Sequence, residues 1–330
     1  MDIIKNFKRN KTAFLASILK RVPFLFKDDE LYLKLLFLFE MHYWPDLKHP
    51  KTFNEKIQWL KLHNRKPEFT TMVDKYSVKK FVADRIGEQY VIPTLGVWDS
   101  FDQIDFNHLP DQFVLKTTHG GGGMAVVICK DKKTFDRNHA KKVLEKSLKS
   151  DIYQIYREWP YKNVPKRIIA EKFMAAKKSQ APKDLPDYKF FCFNGEPKYC
   201  QVIRDRNTCE TIDFYDMGWN HQEFVGLNPS AKQGKMQVER PANLNSMQNI
   251  CRKLSAGIPF LRVDLYVIDD KEYFGELTFY PASGIGRFTP DEWKYRLGEM
   301  LTLPAEYIGR CETNIKKIKA DVTTHINNHY

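Results

Sequence analysis

Apolar side chains recur at helical spacing from the first residues: Ile3, Phe7, Phe14 and Ile18 share one stripe, with Ile4, Leu15, Leu19 and Val22 beside it. Basic residues lie mostly off that stripe, as on a helix resting on a membrane surface. Packing against the chain's own domain is the competing reading. The same periodicity predicts helices over 29–41, 52–63, 70–86 and 137–149, with Gly87 as a cap, and a polar helix at the C-terminal end. Elsewhere the pattern is β-like. Strands are predicted over 90–98, where Pro93 argues for an edge or an interruption, and over 112–118, 124–129 and 167–174. DYKFFCF-NG-EPKYCQV predicts a hairpin, because Asn194-Gly195 suits a type I′ turn. A second hairpin covers 260–279.

At 330 residues the chain can bury two or three cores. Its best apolar run, LYLKLLFLF (31–39), is short, carries Lys34, and is not expected to span a bilayer. The start lacks the unbroken apolar core of a signal peptide, so the chain is read as not secreted. Six cysteines without a Cys-x-x-Cys pair or zinc-like spacing are expected to be reduced thiols, which points to the cytosol. The net charge of +12 predicts anionic partners. Half of it comes from residues 1–27, where seven basic side chains face only Asp2.

Four consecutive glycines, Gly120–Gly123, stand in FVLKTTHGGGGMAVVI. A run of this kind costs backbone entropy, so close approach to a ligand such as phosphate is one explanation. The dinucleotide fingerprint and the Walker A loop both require a helix after their glycines, and MAVVI is a strand former. What remains is a strand–glycine loop–strand flap, with Lys116 four residues upstream. An ordinary surface hairpin is the alternative.

The second constellation is FLRVDLYVIDDKEYFGELTFYPASG (260–284). A three-residue loop at Asp269–Lys271 would place Asp264 opposite Glu276 and Arg262 opposite Thr278, with Tyr266, Ile268 and Phe274 on the same face. The other face, from Val263 to Phe279, is almost wholly apolar and fits a core. Facing carboxylates require a positive group between them, and Mg²⁺ is the simplest. Solvated carboxylates paired with lysines are the bland reading.

Together these features resemble the ATP-grasp superfamily, whose Arg-x-Asp and Glu-x-Asn-x-x-Pro-Gly pattern is similar to RVD and ELTFYPASG here. TFNEKIQWLKL, DKYSVKKFV, IPTLGVWDSFDQIDF, LPDQFVLKTTHGGGG, REWPYKN and DYKFFCFNGEPK more closely resemble the TupA-like ATP-grasp family, over roughly 29–300. That family is associated with bacterial surface polysaccharides and teichuronopeptide synthesis.

The resemblance implies an α+β ATP-grasp fold, two lobes gripping ATP, preceded by a mainly helical N-terminal region. The implied organisation is a basic helix over 1–28, a helical region over 29–100, a small lobe over 101–174, a large lobe over 175–302 and a C-terminal helix over 303–330. It implies that Lys116 binds the α/β-phosphates beneath a flap of His119, Gly120, Gly121, Gly122 and Gly123. Glu171, Lys172, Phe173 and Met174 would hold adenine, and Lys189 would contact the γ-phosphate. Asp264 and Glu276 would hold Mg²⁺. Arg262, with Lys116 the expected catalytic pair, would stabilise charge developing during transfer. Thr278 stands where the family's usual Asn ligand does and is the third expected metal residue, which leaves a second Mg²⁺ open.

The implied chemistry is an ATP-dependent carboxylate–amine ligation through an acyl phosphate, joining an amino acid to a uronic-acid carboxylate. An acidic glycan or a nucleotide- or lipid-linked uronic acid at the inner membrane face fits the charge. The alternatives are a sugar or glycan kinase, or a nucleotide-sugar glycosyltransferase, for which RDR (204–206) and DFYD (213–216) are poor metal motifs. Nucleic-acid binding is not expected, because the aromatics do not interleave with Arg and Lys in an RNA-binding pattern. Arg157 or Lys162 in REWPYKN could line an acceptor pocket, although a packed turn with Trp159 in the core is the favoured reading. Ser283 and Gly284 could close over phosphate or acceptor, or form a plain turn.

Overall fold

Capping side chains set the ends of the N-terminal helices. The structure, a computed structural model, describes residues 2–120, 125–175, 187–204, 210–228, 232–234 and 237–304, and for residues 2–10 the backbone only. Helix α1 spans Asp2–Arg21 and α2 spans Asp29–Met41, where Asp28 accepts hydrogen bonds from the amides of Glu30 and Leu31. Thr52 and Glu55 form a reciprocal capping box at the start of α3, Phe53–His63.

The single helix predicted over 70–86 is two: α4, Glu68–Val73, and α5, Ser77–Ile86. Asp74 breaks it. Its backbone is extended, and its carboxylate accepts from the Tyr76 amide (3.0 Å) and the Ser77 hydroxyl (2.6 Å). Such a short side chain offers the backbone an alternative to the helical ladder. Arg167 holds the same carboxylate at 2.9 Å. The later cap at Gly87 is as expected, with φ +112°.

Strands β1 (Thr94–Trp98), β2 (Phe113–Thr117), β3 (Val126–Cys129) and β4 (Ile168–Lys172) form an antiparallel sheet of order β1-β4-β2-β3. Helices α6 (Arg137–Leu148) and α7 (Ile152–Tyr156) lie between β3 and β4. The chain reverses between β2 and β3, so a strand does follow the glycines. The strand expected from residue 90 begins only at Thr94: Glu88–Tyr90 is a single 3₁₀ turn, and Pro93 precedes β1 at the sheet edge, where a missing amide proton costs nothing. Phe113, Leu115, Ile168 and Ala170 pack with Ala140 and Leu144 of α6 into one core.

The larger sheet holds β5 (Asp187–Phe193), β6 (Glu196–Arg204), β7 (Thr211–Asp216), β8 (His221–Gln222), β10 (Phe260–Ile268) and β11 (Lys271–Thr278). Its order is β11-β10-β5-β6-β7-β8, antiparallel throughout. Asn194 and Gly195 both take positive φ, as the type I′ turn needs. Strand β9 (Val225–Gly226) pairs with β12 (Phe288–Thr289). Helix α8, Leu244–Ser255, packs Met247, Cys251 and Leu254 into the core of this sheet, and α9, Trp293–Met300, adds Trp293 and Leu297. Every residue of β5 is buried, so Phe190, Phe191 and Phe193 each contribute about 1.5–3 kcal/mol of burial. Cys129, Cys192, Cys200 and Cys251 are buried free thiols.

The β10–β11 hairpin differs from expectation at its tip. Asp264 does face Glu276, and Arg262 does face Thr278, but the register shifts by one residue between Asp264 and Leu265. Leu265 pairs with Phe274, leaving Gly275 as the extra residue of a bulge, and the turn is the two residues Asp269-Asp270, both at positive φ. A one-residue slip exchanges faces. Phe274 therefore joins the core beside Leu265 instead of sharing the face of Asp264.

Gly121, Gly122 and Gly123 lie outside the described residues, as does nearly all of the expected 303–330 helix. Among the described residues no helix is long and apolar enough to cross a membrane.

Candidate active site

Strands β2 and β4 are neighbours, and they bring Lys116 and Glu171 together. Lys116 Nζ lies 2.6 Å from Glu171 Oε2, and Lys79 Nζ of α5 lies 2.6 Å from Oε1. Burial pushes the Glu171 carboxyl up, but the two ammonium groups outweigh it and hold it below the usual range. Lys79 also donates to the Ile92 carbonyl at 2.5 Å. Lys172 and Phe173, at the end of β4, line an open cleft of about 780 Å³ with Leu95, Gln112 and Lys130. Met174 follows, half-buried.

The break at Asp74 aims Lys75 at the glycine corner. The Lys75 amide donates to the Thr118 carbonyl at 2.9 Å, and its Nζ donates to the Gly120 carbonyl. His119 is buried with Nε2 3.0 Å from the Ser147 carbonyl oxygen. Burial pulls its pKa down, so the ring is neutral and anchors the base of the flap to the end of α6.

On the hairpin, the group spanning the two carboxylates is Arg262. Its Nε lies 2.7 Å from Asp264 Oδ1, and one Nη lies 2.8 Å from Asp264 Oδ2 and 2.7 Å from Glu276 Oε1. The same nitrogen donates to Thr278 Oγ1 at 3.0 Å. Lys189 sits directly across from Asp264 on β5, pairs with it, and reaches Asp187 at 2.8 Å. Glu276 would be pushed up by burial, but Lys75, Arg262 and Lys189 hold it at about 2. For Asp264 burial prevails over Arg262 and Lys189, and its pKa is raised.

This donor set suits Mg²⁺, which takes hard carboxylate oxygens and completes its shell with water and phosphate. Glu276 is the more accessible carboxylate, with about a third of its side chain exposed. Both Asp264 oxygens are engaged by cations. Among the described residues no group of three or more His, Cys, Asp or Glu side chains is placed to hold a metal ion.

Lys75 joins the two halves of the site. Burial lowers its pKa, and the charges it feels include Glu276 from the hairpin and Lys116 and Glu171 from the smaller sheet. With Glu276, Gly275 and Tyr161 it lines a narrow crevice. Lys75 and Lys79 received no role from the sequence. Their signal was present in DKYSVKKFV, but a helix drawn straight through 70–86 hides the turn that points Lys75 inward.

REWPYKN is a packed turn, but Trp159 is not its buried residue: Arg157, Glu158 and Pro160 are, and Trp159 is half-buried. Arg157 does not line a pocket. Its Nε lies 2.8 Å from Asp29 Oδ1, and it donates to the Pro23 and Phe26 carbonyls, tying down the N-terminal helices. Lys162 lies over the Tyr153 ring. Ser283 and Gly284 are gripped by α3, because Lys61 Nζ donates to both Ser283 oxygens at 2.8 Å and Asn54 donates to the Gly284 carbonyl at 3.0 Å. Burial pushes the Lys61 ammonium down to about 8, with Glu158 opposing.

A family model described as TupA-like ATPgrasp matches residues 55–302, about three quarters of the chain. No curated protein matches it. Among solved structures, D-alanine–D-alanine ligase from Bacillus anthracis is 15% identical, with 76% of this chain and 70% of that one covered, at a TM-score of 0.41. The ADP complex of PurK, N5-carboxyaminoimidazole ribonucleotide synthetase, is 13% identical, with 68% and 50% covered, at 0.40. The ATP-grasp ligase PsnB, complexed with a phosphomimetic variant of a minimal precursor, Mg and ADP, is 9% identical, with 71% and 59% covered, at 0.39. The chain thus spans little more than half the length of several structures it matches, including the ATP complex of the Bacillus anthracis ligase, at 54%.

Proposed function

Because the chain belongs to the TupA-like ATP-grasp family, whose enzymes use ATP and Mg²⁺, we propose that it is an ATP-dependent carboxylate–amine ligase. A substrate carboxylate oxygen attacks the γ-phosphorus, ADP leaves, and an acyl phosphate results. An amine then attacks the acyl carbon, phosphate leaves, and the nitrogen loses a proton. The single observation that carries the reading is the position of Lys75, bonded to Gly120 and within electrostatic reach of Lys116, Glu171 and Glu276. The cations Lys75, Lys79 and Lys116 and the hairpin carboxylates Asp264 and Glu276 would then face the same triphosphate.

In this reading Lys116 and Lys75 bind phosphate oxygens, His119 and Gly120–Gly123 cover them, and Glu171 keeps Lys116 and Lys79 in place. Glu171–Met174 hold adenine. Glu276 and Asp264 hold Mg²⁺, which neutralises phosphate charge when bound, while Thr278 orients Glu276 and Lys189 contacts the γ-phosphate. Arg262 stabilises the oxyanion of the acyl-transfer step. Positioning and charge neutralisation supply the catalysis, since the chemistry of phosphoryl transfer asks little else. The substrates we favour are an amino acid and a uronic-acid carboxylate of a surface polysaccharide, in keeping with the +12 charge.

Calorimetry of the purified protein with MgATP and with Mg–UDP-sugars tests this. Binding of MgATP that is lost in Lys116→Ala and in the Asp264→Asn, Glu276→Gln double variant supports one shared nucleotide site. Turnover that releases ADP and free phosphate supports a ligase; a stable phosphoester identifies a kinase instead. Binding of a UDP-sugar alone overturns the proposal.

A further inference from the structure

Over its described side chains, residues 11–21, helix α1 packs one face on the protein and leaves another exposed. Ala16 and Leu19 are buried against Tyr32 and Leu36 of α2, and Lys20 pairs with Glu40 at 2.5 Å. Phe14 and Ile18, of the apolar stripe that the sequence singles out, turn away from this contact. Phe14 is 65% exposed, and Leu15 and Ile18 are exposed beside it. The turn that follows α1 extends the same character, with Phe24 71% and Leu25 67% exposed. Phenylalanines this exposed, grouped at the end of one helix and on its turn, differ from apolar residues scattered singly over a surface.

The charges around these side chains are of one sign. Lys11, Phe14, Ile18 and Arg21 follow at i, i+3, i+7 and i+10, so exposed basic residues bracket the apolar stripe at both ends. Lys27, also exposed, follows Leu25 by two residues. Between residues 3 and 27 there are seven Lys or Arg and no Asp or Glu. A second copy of this chain would bring like charge against like charge, and a nucleic-acid backbone would leave the phenylalanines in water. An anionic lipid surface offers acyl chains to the apolar stripe and headgroups to the rim.

We infer that the exposed face of α1 and the Pro23–Leu25 turn form a docking surface for an anionic membrane leaflet, with Phe14, Ile18, Phe24 and Leu25 inserted at the acyl boundary. Attachment of this kind is peripheral and reversible, and it depends on salt. It does not depend on which reaction the active site performs.

Flotation of the full-length protein with vesicles tests the inference, comparing phosphatidylcholine alone with phosphatidylcholine containing about a third phosphatidylglycerol. The expected result is at least about tenfold stronger partitioning onto the anionic vesicles, weakening as salt rises. A Phe14→Ser, Ile18→Ser, Phe24→Ser variant should lose about tenfold or more of that partitioning. A Lys11→Glu, Arg21→Glu, Lys27→Glu variant should equalise the two vesicle types. Both variants should keep the wild-type melting profile and MgATP affinity, which separates lost docking from misfolding. Absence of binding to anionic vesicles overturns the inference, as does binding that the serine variant leaves unchanged. A wild-type dimer in light scattering that the serine variant converts to monomer would also overturn it and assign the face to a second copy.

Discussion

Asp264 and Glu276 face each other across β10 and β11, and a single Arg262 nitrogen lies 2.8 Å from one and 2.7 Å from the other. The two carboxylates are nonetheless unequal. Asp264 is buried with cations on both oxygens, whereas Glu276 meets solvent. Asp264 therefore also organises the hairpin, while Glu276 is the more accessible of the two to a ligand.

Asp264→Asn should act on stability first. It leaves Arg262 and Lys189 buried without their shared counter-charge, a loss of about 3–5 kcal/mol. Glu276→Gln should cost less, about 1–2 kcal/mol, because about a third of its side chain meets solvent that screens its cations, and it should weaken MgATP binding at least about tenfold. Urea unfolding and calorimetry on both variants check the split. Equal effects of the two on stability would contradict it.

Acid should expose Glu276. Its folded pKa, about 2, lies below the ordinary value of 4.5, so its contribution to stability is complete above 4.5 and lost as pH falls towards 2. Across that window the unfolded chain binds the extra proton, and stability rises with pH. The difference in unfolding free energy between wild type and Glu276→Gln should shrink over the same interval. A difference that stays flat would remove the electrostatic account.

Lys75→Met should separate nucleotide affinity from folding. The side chain makes one charge-assisted bond to the Gly120 carbonyl, and such bonds contribute about 1.5–3 kcal/mol. We expect MgATP to bind roughly ten- to a hundredfold more weakly, with adenosine affinity little changed. Comparing the two ligands by calorimetry isolates the phosphate-dependent part.

Gly284→Ala should damage the loop beyond the hairpin. Gly284 has φ +66°, and an added Cβ would lie 2.5 Å from Ile57 Cγ2 and 2.6 Å from Gln58 Nε2. Positive φ and overpacking together should cost about 2–4 kcal/mol. The melting midpoint should fall by several degrees, and restoring room with Ile57→Val should recover part of the loss.

Local rules made much of the chain legible. The Asn194-Gly195 hairpin, the capped helices 29–41 and 52–63, the edge strand after Pro93 and the strand that follows the glycines each follow from residues adjacent in sequence. The expected three-residue turn placed Asp264 opposite Glu276 only because the bulge at Gly275 offsets the shorter two-residue turn. The family motifs were legible because their residues are close together in the chain.

Three features were decided by tertiary structure. Side-chain period alone cannot register the bulge at Gly275, because one extra residue changes the face of every position beyond it. The helix break at Asp74 depends partly on Arg167, a partner 93 residues away, and that break makes Lys75 part of the site. The outward turn of Phe14 and Ile18 depends on Ala16 and Leu19 having packed against α2 first. Sequence determined which elements form and what chemistry they carry, because those depend on neighbours along the chain. The fold decided which charges meet and which apolar face remains exposed, because both depend on contacts that exist only after distant segments pack.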